Sequence, residues 1–259
     1  MPLRTSRAIV LRNYRVGEAD KIVVFLTRGF GKVRGIAKGA RRMRSRFGGS
    51  LEVGTEIELT FFEKESRELV SIDRCDIVRS SFATLREPLL VSAVSYFTDL
   101  VDSFAPERET NERLFRLLQA VLGSLSESPE RRCEETIRYF EAWILRLGGF
   151  YPRRKSCVGC GRPLETTGAL YDDELSQLGC PSCVRKGSPL SAGAIGYTEH
   201  LWKTPPGELD APEEPIHLKE LGKFHYRLIQ YQLERDVRSH QILHDLLSAE
   251  AEPTSPALS

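Results

Sequence analysis

The chain has 259 residues, with 37 Lys and Arg against 36 Asp and Glu and a formal net charge of +1. Its hydrophobic share of 41% and charged share of 28% are those of an ordinary folded protein, and its length allows two or three modules. No run of about 18 apolar residues occurs, which excludes a membrane-spanning helix; Met1-Pro2-Leu3-Arg4 lacks the apolar stretch of a secretory signal, so the cytoplasm is the expected compartment.

The near-neutral total conceals an asymmetry. Residues 1–80 hold 17 Lys and Arg against 10 Asp and Glu, a charge of +7, while the other 179 residues hold 20 against 26, a charge of −6. Residues 21–51 contain nine bases and no acid. Such a block attracts phosphate polymers or another anionic surface.

Residues 7–77 read as five short strands. Segments 7–14, 22–27 and 32–37 are rich in β-branched residues and bounded by glycine or charge. Segment 55–62 alternates, with Ile57, Leu59 and Phe61 on one face and Glu56, Glu58 and Thr60 on the other. A polar turn at 63–68 leads to a fifth strand at 69–77. Five short strands in about 70 residues predict a small closed barrel, for which the OB-fold is the common solution; an SH3-like barrel fits the strand count nearly as well.

After Phe82 the period becomes helical. Val91, Val94, Phe97, Val101 and Phe104 form one stripe, and Leu114, Leu117, Leu118, Val121, Leu122 and Leu125 a second. Ser128-Pro129-Glu130 is a helix start, opening a helix with Ile137, Phe140, Ile144 and Leu147 that Gly148-Gly149 stops. Residues 191–203 read as a short helix, and residues 204–215, with four prolines and four acids, as a loop. Residues 217–247 return to helical period through Leu221, Phe224, Leu228 and Leu246. The expected architecture is α+β and multidomain: a five-stranded nucleic-acid-binding barrel at 1–80, a helical domain at 81–155 resuming at 191–249 as an antiparallel bundle, an embedded cysteine insert at 156–190 and a disordered tail at 250–259.

The insert carries Cys157-Val158-Gly159-Cys160 and, after 19 intervening residues, Cys180-Pro181-Ser182-Cys183. Two thiolate pairs on tight turns, Cys157 with Cys160 and Cys180 with Cys183, suit one tetrahedral Zn²⁺. The alternative, a redox dithiol, does not account for two pairs in one short insert. Four sulfurs leave no open coordination position, so the ion is expected to be structural and to supply folding energy to an insert too small for its own core. Cys75 and Cys133 have no partner motif and read as ordinary buried residues.

Within the basic block, Lys32, Arg34, Lys38, Arg41, Arg42, Arg44 and Arg46 are the candidate phosphate contacts, and Phe30 and Phe47 the candidate stacking surfaces, as in barrels that bind single strands. Signs of catalysis are sparse. There is no Gly-x-Ser-x-Gly and no Walker loop, and Gly29-Phe30-Gly31 lacks the third glycine of a dinucleotide motif. His240 and His244 have Gln241 between them, not a metalloprotease glutamate, and Glu18 and Asp20 read as turn-forming rather than as a Mg²⁺ pair. The chain is expected not to be an enzyme; the competing readings are a metal-dependent nuclease and a generic RNA- or DNA-binding barrel.

Gly17-Glu18-Ala19-Asp20-Lys21-Ile22, Gly31-Lys32-Val33, Ala37-Lys38-Gly39-Ala40-Arg41-Arg42 and Ser45-Arg46-Phe47-Gly48-Gly49 resemble the N-terminal signature of the RecO recombination mediators. Phe140-Glu141 and Leu147-Gly148-Gly149-Phe150, ahead of Cys157, also resemble that family. The resemblance covers nearly the whole chain. It implies an N-terminal OB-fold, a central helical domain and a zinc-finger-like insert whose metal serves as scaffold. It also implies binding to single- and double-stranded DNA and strand annealing in recombinational repair. The implied partners are RecR and the single-stranded-DNA-binding protein, whose tail docks on the helical part, and the implied outcome is loading of RecA at the nucleoid.

Overall fold

The computed structural model describes residues 2–63, 68–82, 84–127, 133–152, 155–172 and 177–251. The helix start expected at Ser128-Pro129-Glu130, the middle of the turn expected at 63–68 and most of the tail expected at 250–259 lie outside them. The chain divides into two compact units: Met1–Ser126 with Val237–Ser259, and Glu127–Asp236.

The first unit is built on a closed five-stranded barrel. Its strands are β1 (Leu3–Val16), β2 (Asp20–Thr27), β3 (Gly31–Ala37), β4 (Glu56–Phe62) and β5 (Val70–Arg79), in the order β1-β2-β3-β5-β4. β1 is 14 residues long and serves two partners: residues 3–9 pair with β4 and residues 8–16 with β2. A bulge between Val10 and Arg12 bends it from one to the other. β3 and β5 pair in parallel, and every other pairing is antiparallel. This is the OB topology rather than an SH3-like one. Val10, Phe25, Val33, Ile57, Leu59 and Phe61 fill the interior, as the period-2 pattern requires.

The outer face of β4 departs from the polar-out expectation. Glu56 is buried, because α2 (Glu112–Glu127) covers it: Gln119 Nε2 donates to Glu56 Oε1 at 2.7 Å, and Arg79 Nη2 lies 3.1 Å from Oε2. The outward residues Ile9, Leu11, Val24 and Leu26 are also buried. Helix α1 (Pro88–Phe104), which packs on β1 and β2, is apolar on most sides, as a helix covered all round must be. Gly31 sits at φ 66°, where a Cβ would lie 2.2 Å from the Glu109 carbonyl oxygen, so only glycine lets the loop after α1 close over the start of β3.

The second unit holds α3 (Cys133–Gly148), the short helix α4 (Leu164–Thr167), α5 (Ala192–Lys203) and α6 (Ile216–Leu233). The cysteine insert contains a three-stranded sheet that the sequence did not announce: β6 (Ala169–Asp172), β7 (Gln177–Gly179) and β8 (Ser188–Leu190), in the order β7-β6-β8. Tyr171 packs edge-on against Phe224 of α6, so the insert shares the unit's core rather than relying on metal alone.

The helical stretch expected at 217–247 is two helices. α6 ends where Glu234 adopts a left-handed conformation, φ 52°, its N–H bonded to the Gln230 carbonyl. α7 (Arg238–Ala251) then packs on α1 in the first unit. The helices expected at 81–155 and 191–249 as one domain are thus divided: α1, α2 and α7 belong with the barrel, and α3, α5 and α6 with the cysteines.

Candidate nucleic-acid interface and metal centre

The acid-free segment after β3 is braced against one end of the barrel. Gly39, at φ 71°, turns the chain, and its N–H donates to Asp20 Oδ1 at 2.8 Å. Arg41 N–H donates to the Ala19 carbonyl at 2.9 Å, and Arg41 Nη1 to the Gly17 carbonyl at 3.1 Å. Asp20 therefore fixes a loop on the β1–β2 turn. Beyond the loop, Phe47 enters the barrel core, 3% exposed, and Arg46 lies over its ring at 4.9 Å while donating to the Ile72 carbonyl. Residues 39–46 are thus held at both ends, and the β1–β2 loop of an OB barrel is among those that meet oligonucleotides.

The seven candidate cations separate into two groups. Lys38, Arg41, Arg42, Arg44 and Arg46 are exposed together on this loop. Arg34, also exposed, points toward Glu107, with Nε 3.5 Å from its carboxylate. Lys32 is turned inward, 8% exposed: its Nζ donates to the Asp102 carbonyl at 2.7 Å and lies 3.3 Å from the Asp102 carboxylate. Its position is fixed because the loop after α1 covers the β3 edge, with Arg108 N–H donating to the Lys32 carbonyl. Lys32 neutralises an internal carboxylate and offers no charge to a phosphate.

The stacking surfaces expected at Phe30 and Phe47 are a correction. Phe47 is in the core, and Phe30 packs edge-on against Phe61 at 5.6 Å beneath Arg4. Phe47 is drawn fully inward and fills one end of the barrel, while Phe30 is half-buried against the core at the turn between β2 and β3. Arg15, missed from sequence, belongs with the loop cations. It is exposed, and its antiparallel partner is Lys21, which pairs with Ala37 at the foot of the loop. The signal available was the register across the Gly17 turn.

In the second unit, Cys157, Cys160, Cys180 and Cys183 bring four sulfurs within 4.8 Å of one another. Cys160 Sγ and Cys180 Sγ are 3.7 Å apart. Four sulfurs at about 2.3 Å from a central ion in a tetrahedron would be about 3.8 Å from each other, so the residues fit a Zn²⁺-sized cation. Each pair lies on a tight turn, closed by Gly161 N–H to the Cys157 carbonyl at 2.9 Å and by Cys183 N–H to the Cys180 carbonyl at 2.9 Å. Backbone donors from Cys180, at 3.2 Å, and Gly159, at 3.4 Å, point at Cys157 Sγ. The hydrogen bonds from the Cys180 and Cys160 backbone, reinforced by that from Gly159, lower the Cys157 thiol to about 6 despite its burial. A Cβ at Gly159 would stand 3.1 Å from Cys183 Sγ, and one at Gly179 2.4 Å from Val184 Cγ2. The glycines beside these cysteines leave room for the sulfurs to converge. Cys75 and Cys133 are buried elsewhere, and burial pushes Cys75 up to about 12.

The second unit also contains a cavity of about 630 Å³. Leu178, Leu190, Ile195, Trp202, Leu221 and Phe224 give it apolar walls; Arg146, Lys155 and Lys203 outnumber Glu165 and Glu199 among its charged groups. The Arg146 guanidinium lies 3.8 Å from the Trp202 ring centre. Tyr151 and Thr198, also in its lining, lead to a buried network: Tyr151 Oη is 3.4 Å from His225 Nε2, whose Nδ1 is 3.2 Å from Glu141 Oε2, which accepts from Arg138 at 2.8 Å.

Two family profiles match the chain: "Recombination protein O N terminal" over residues 1–81 and "Recombination protein O C terminal" over residues 86–241. A DNA repair protein RecO from Koribacter versatilis is 31% identical over 246 residues, covering 94% of this chain and 99% of that protein. The RecO protein of Symbiobacterium thermophilum is 34% identical over 263 residues, covering 96% and 100%. That of Anaeromyxobacter dehalogenans (strain 2CP-C) is 34% identical over 212 residues, covering 80% and 82%. With its closed OB barrel and helical region spanned by both profiles, the chain belongs to the RecO family of DNA repair proteins.

Proposed function

We propose that this protein is a DNA-binding, strand-annealing recombination mediator that acts without turnover. The observation that carries the reading is the arginine-rich loop pinned to the barrel end, with Arg15, Lys38, Arg41, Arg42, Arg44 and Arg46 exposed. Two strands of like charge repel, and a cationic surface that holds both lowers that repulsion. Contacts to phosphate carry no sequence information, which suits a protein that must pair any two complementary strands.

In this reading single- and double-stranded DNA are the ligands, and RecR and the single-stranded-DNA-binding protein the partners through which RecA is loaded. Work at the nucleoid, in the cytoplasm, fits these roles. The cavity of the second unit, apolar in its walls and with cations in excess, suits an acidic segment with apolar side chains, the chemistry by which it would hold the tail of the single-strand-binding partner. Cys157, Cys160, Cys180 and Cys183 would hold one Zn²⁺. The ion would serve as scaffold, since a four-sulfur set leaves no position for substrate or water; this also counts against a metal-dependent nuclease.

The test is annealing of complementary DNA strands coated with the cognate single-strand-binding protein. Acceleration that disappears in Arg41→Glu/Arg42→Glu supports the mediator. No acceleration, with DNA binding intact, overturns it in favour of a generic nucleic-acid binder, which competition between DNA and RNA strands would then define.

A further inference from the structure

Met43 is fully exposed, more so than any other large apolar side chain among the described residues. It occupies the second position of a turn closed by Ser45 N–H donating to the Arg42 carbonyl at 2.9 Å, and both its neighbours are exposed arginines. The turn is not free to tuck the side chain away. Arg41 and Arg42 are tied by their N–H groups to Ala19 and Gly39 on one side, and Phe47 is anchored in the barrel on the other. A braced loop thus presents one apolar side chain in the middle of its cations.

Arginines can satisfy phosphate oxygens; a thioether cannot. The part of a nucleic acid that an apolar side chain favours is the face of a base, and sulfur makes favourable contacts with aromatic rings. In a duplex those faces are stacked and reaching them costs a few kcal/mol per step, whereas in a single strand they are available. Phe47, the aromatic ring of this loop, is committed to the barrel interior. We propose that Met43 packs on the faces of unstacked bases in a single strand whose phosphates are held by Arg41, Arg42 and Arg44. The contact has no hydrogen-bonding group, so it distinguishes strands that carry bases from bare backbone without preferring a sequence. The proposal rests on the DNA-binding reading above.

The experiment measures binding of the full-length protein to a single-stranded oligonucleotide and to an abasic strand of equal length, as a function of salt. Wild type should favour the base-bearing strand. Met43→Ala should lose about fivefold in affinity for it, within the range of sulfur–aromatic contacts, leave the abasic strand unaffected, and keep the salt slope. Met43→Leu should retain most of the preference. If Met43→Ala binds both strands as wild type does, the base contact is refuted. Arg41→Glu/Arg42→Glu reports separately on the underlying reading: if it binds as wild type, the loop does not meet DNA, and both ideas fall.

Discussion

The division of the seven cations into a loop set and a pair that faces carboxylates has a measurable consequence in the salt dependence of DNA binding. Lys32 is paired with Asp102, and Arg34 faces Glu107; Lys38, Arg41, Arg42, Arg44 and Arg46, joined by Arg15, form the loop set. Each phosphate neutralised on a single strand contributes about −0.7 to the slope of log affinity against log salt, so six contacts give about −4. Raising salt from about 50 to about 200 mM should then weaken binding about 300-fold. Arg41→Ala/Arg42→Ala should bring the slope to about −3 and the loss over that interval to about 50-fold. Lys32→Met should leave the slope unchanged. It should instead destabilise the first unit by about 2 kcal/mol, the scale of a lost hydrogen bond to a charged group, because among the described residues Asp102 then keeps Arg12 alone as an ion-pair partner. Fluorescence anisotropy at several salt concentrations, with urea unfolding of each variant, measures both quantities. A slope reduced in Lys32→Met as much as in the double arginine variant would refute the division.

For the metal centre, Cys180→Ser should abolish stoichiometric zinc in the purified protein and lower the thermal midpoint of the second unit, while DNA binding by the barrel stays within about twofold of wild type, since the scaffold role touches no phosphate contact; full stability without metal would refute it. His225 is buried, and desolvation holds its pKa below the ordinary value even though Glu141 opposes the shift. The unfolded chain therefore binds this proton more readily than the folded one, and stability should fall as pH drops below about 6.5. His225→Gln should flatten the midpoint-versus-pH curve between about pH 7 and 5.5, and an unchanged curve would show that other groups govern it.

The barrel was readable because its information is local. Alternation in β4 places Ile57, Leu59 and Phe61 inside whatever the rest of the chain does, and two Cys-x-x-Cys turns need only to meet. What escaped depends on distant partners. Lys32 looks like any basic residue of the block until residues 102–107 close over it. Phe47 looks like an exposed aromatic in a glycine-rich loop until the loop returns it to the barrel. Arg15 joins the loop only through the register of a hairpin. The break at Glu234 carries neither glycine nor proline, so periodicity ran straight through it, although one left-handed residue there separates α6 from α7.

The placement of α7 also orders events during synthesis. The barrel unit is discontinuous: residues 127–236, an entire second unit, lie between α2 and α7. On α1, Asp99 accepts from Ser239 at 2.7 Å and Tyr96 faces the His240 ring at 5.6 Å, so the outer side of α1 stays uncovered until the chain has been extended through the whole cysteine-bearing segment. During synthesis the closed barrel thus emerges with the outer side of α1 uncovered, and its covering waits on the segment that carries the four clustered cysteines. A nick in the connection after Asp236 would leave α7 held to α1 by these contacts alone, without breaking any strand of the barrel.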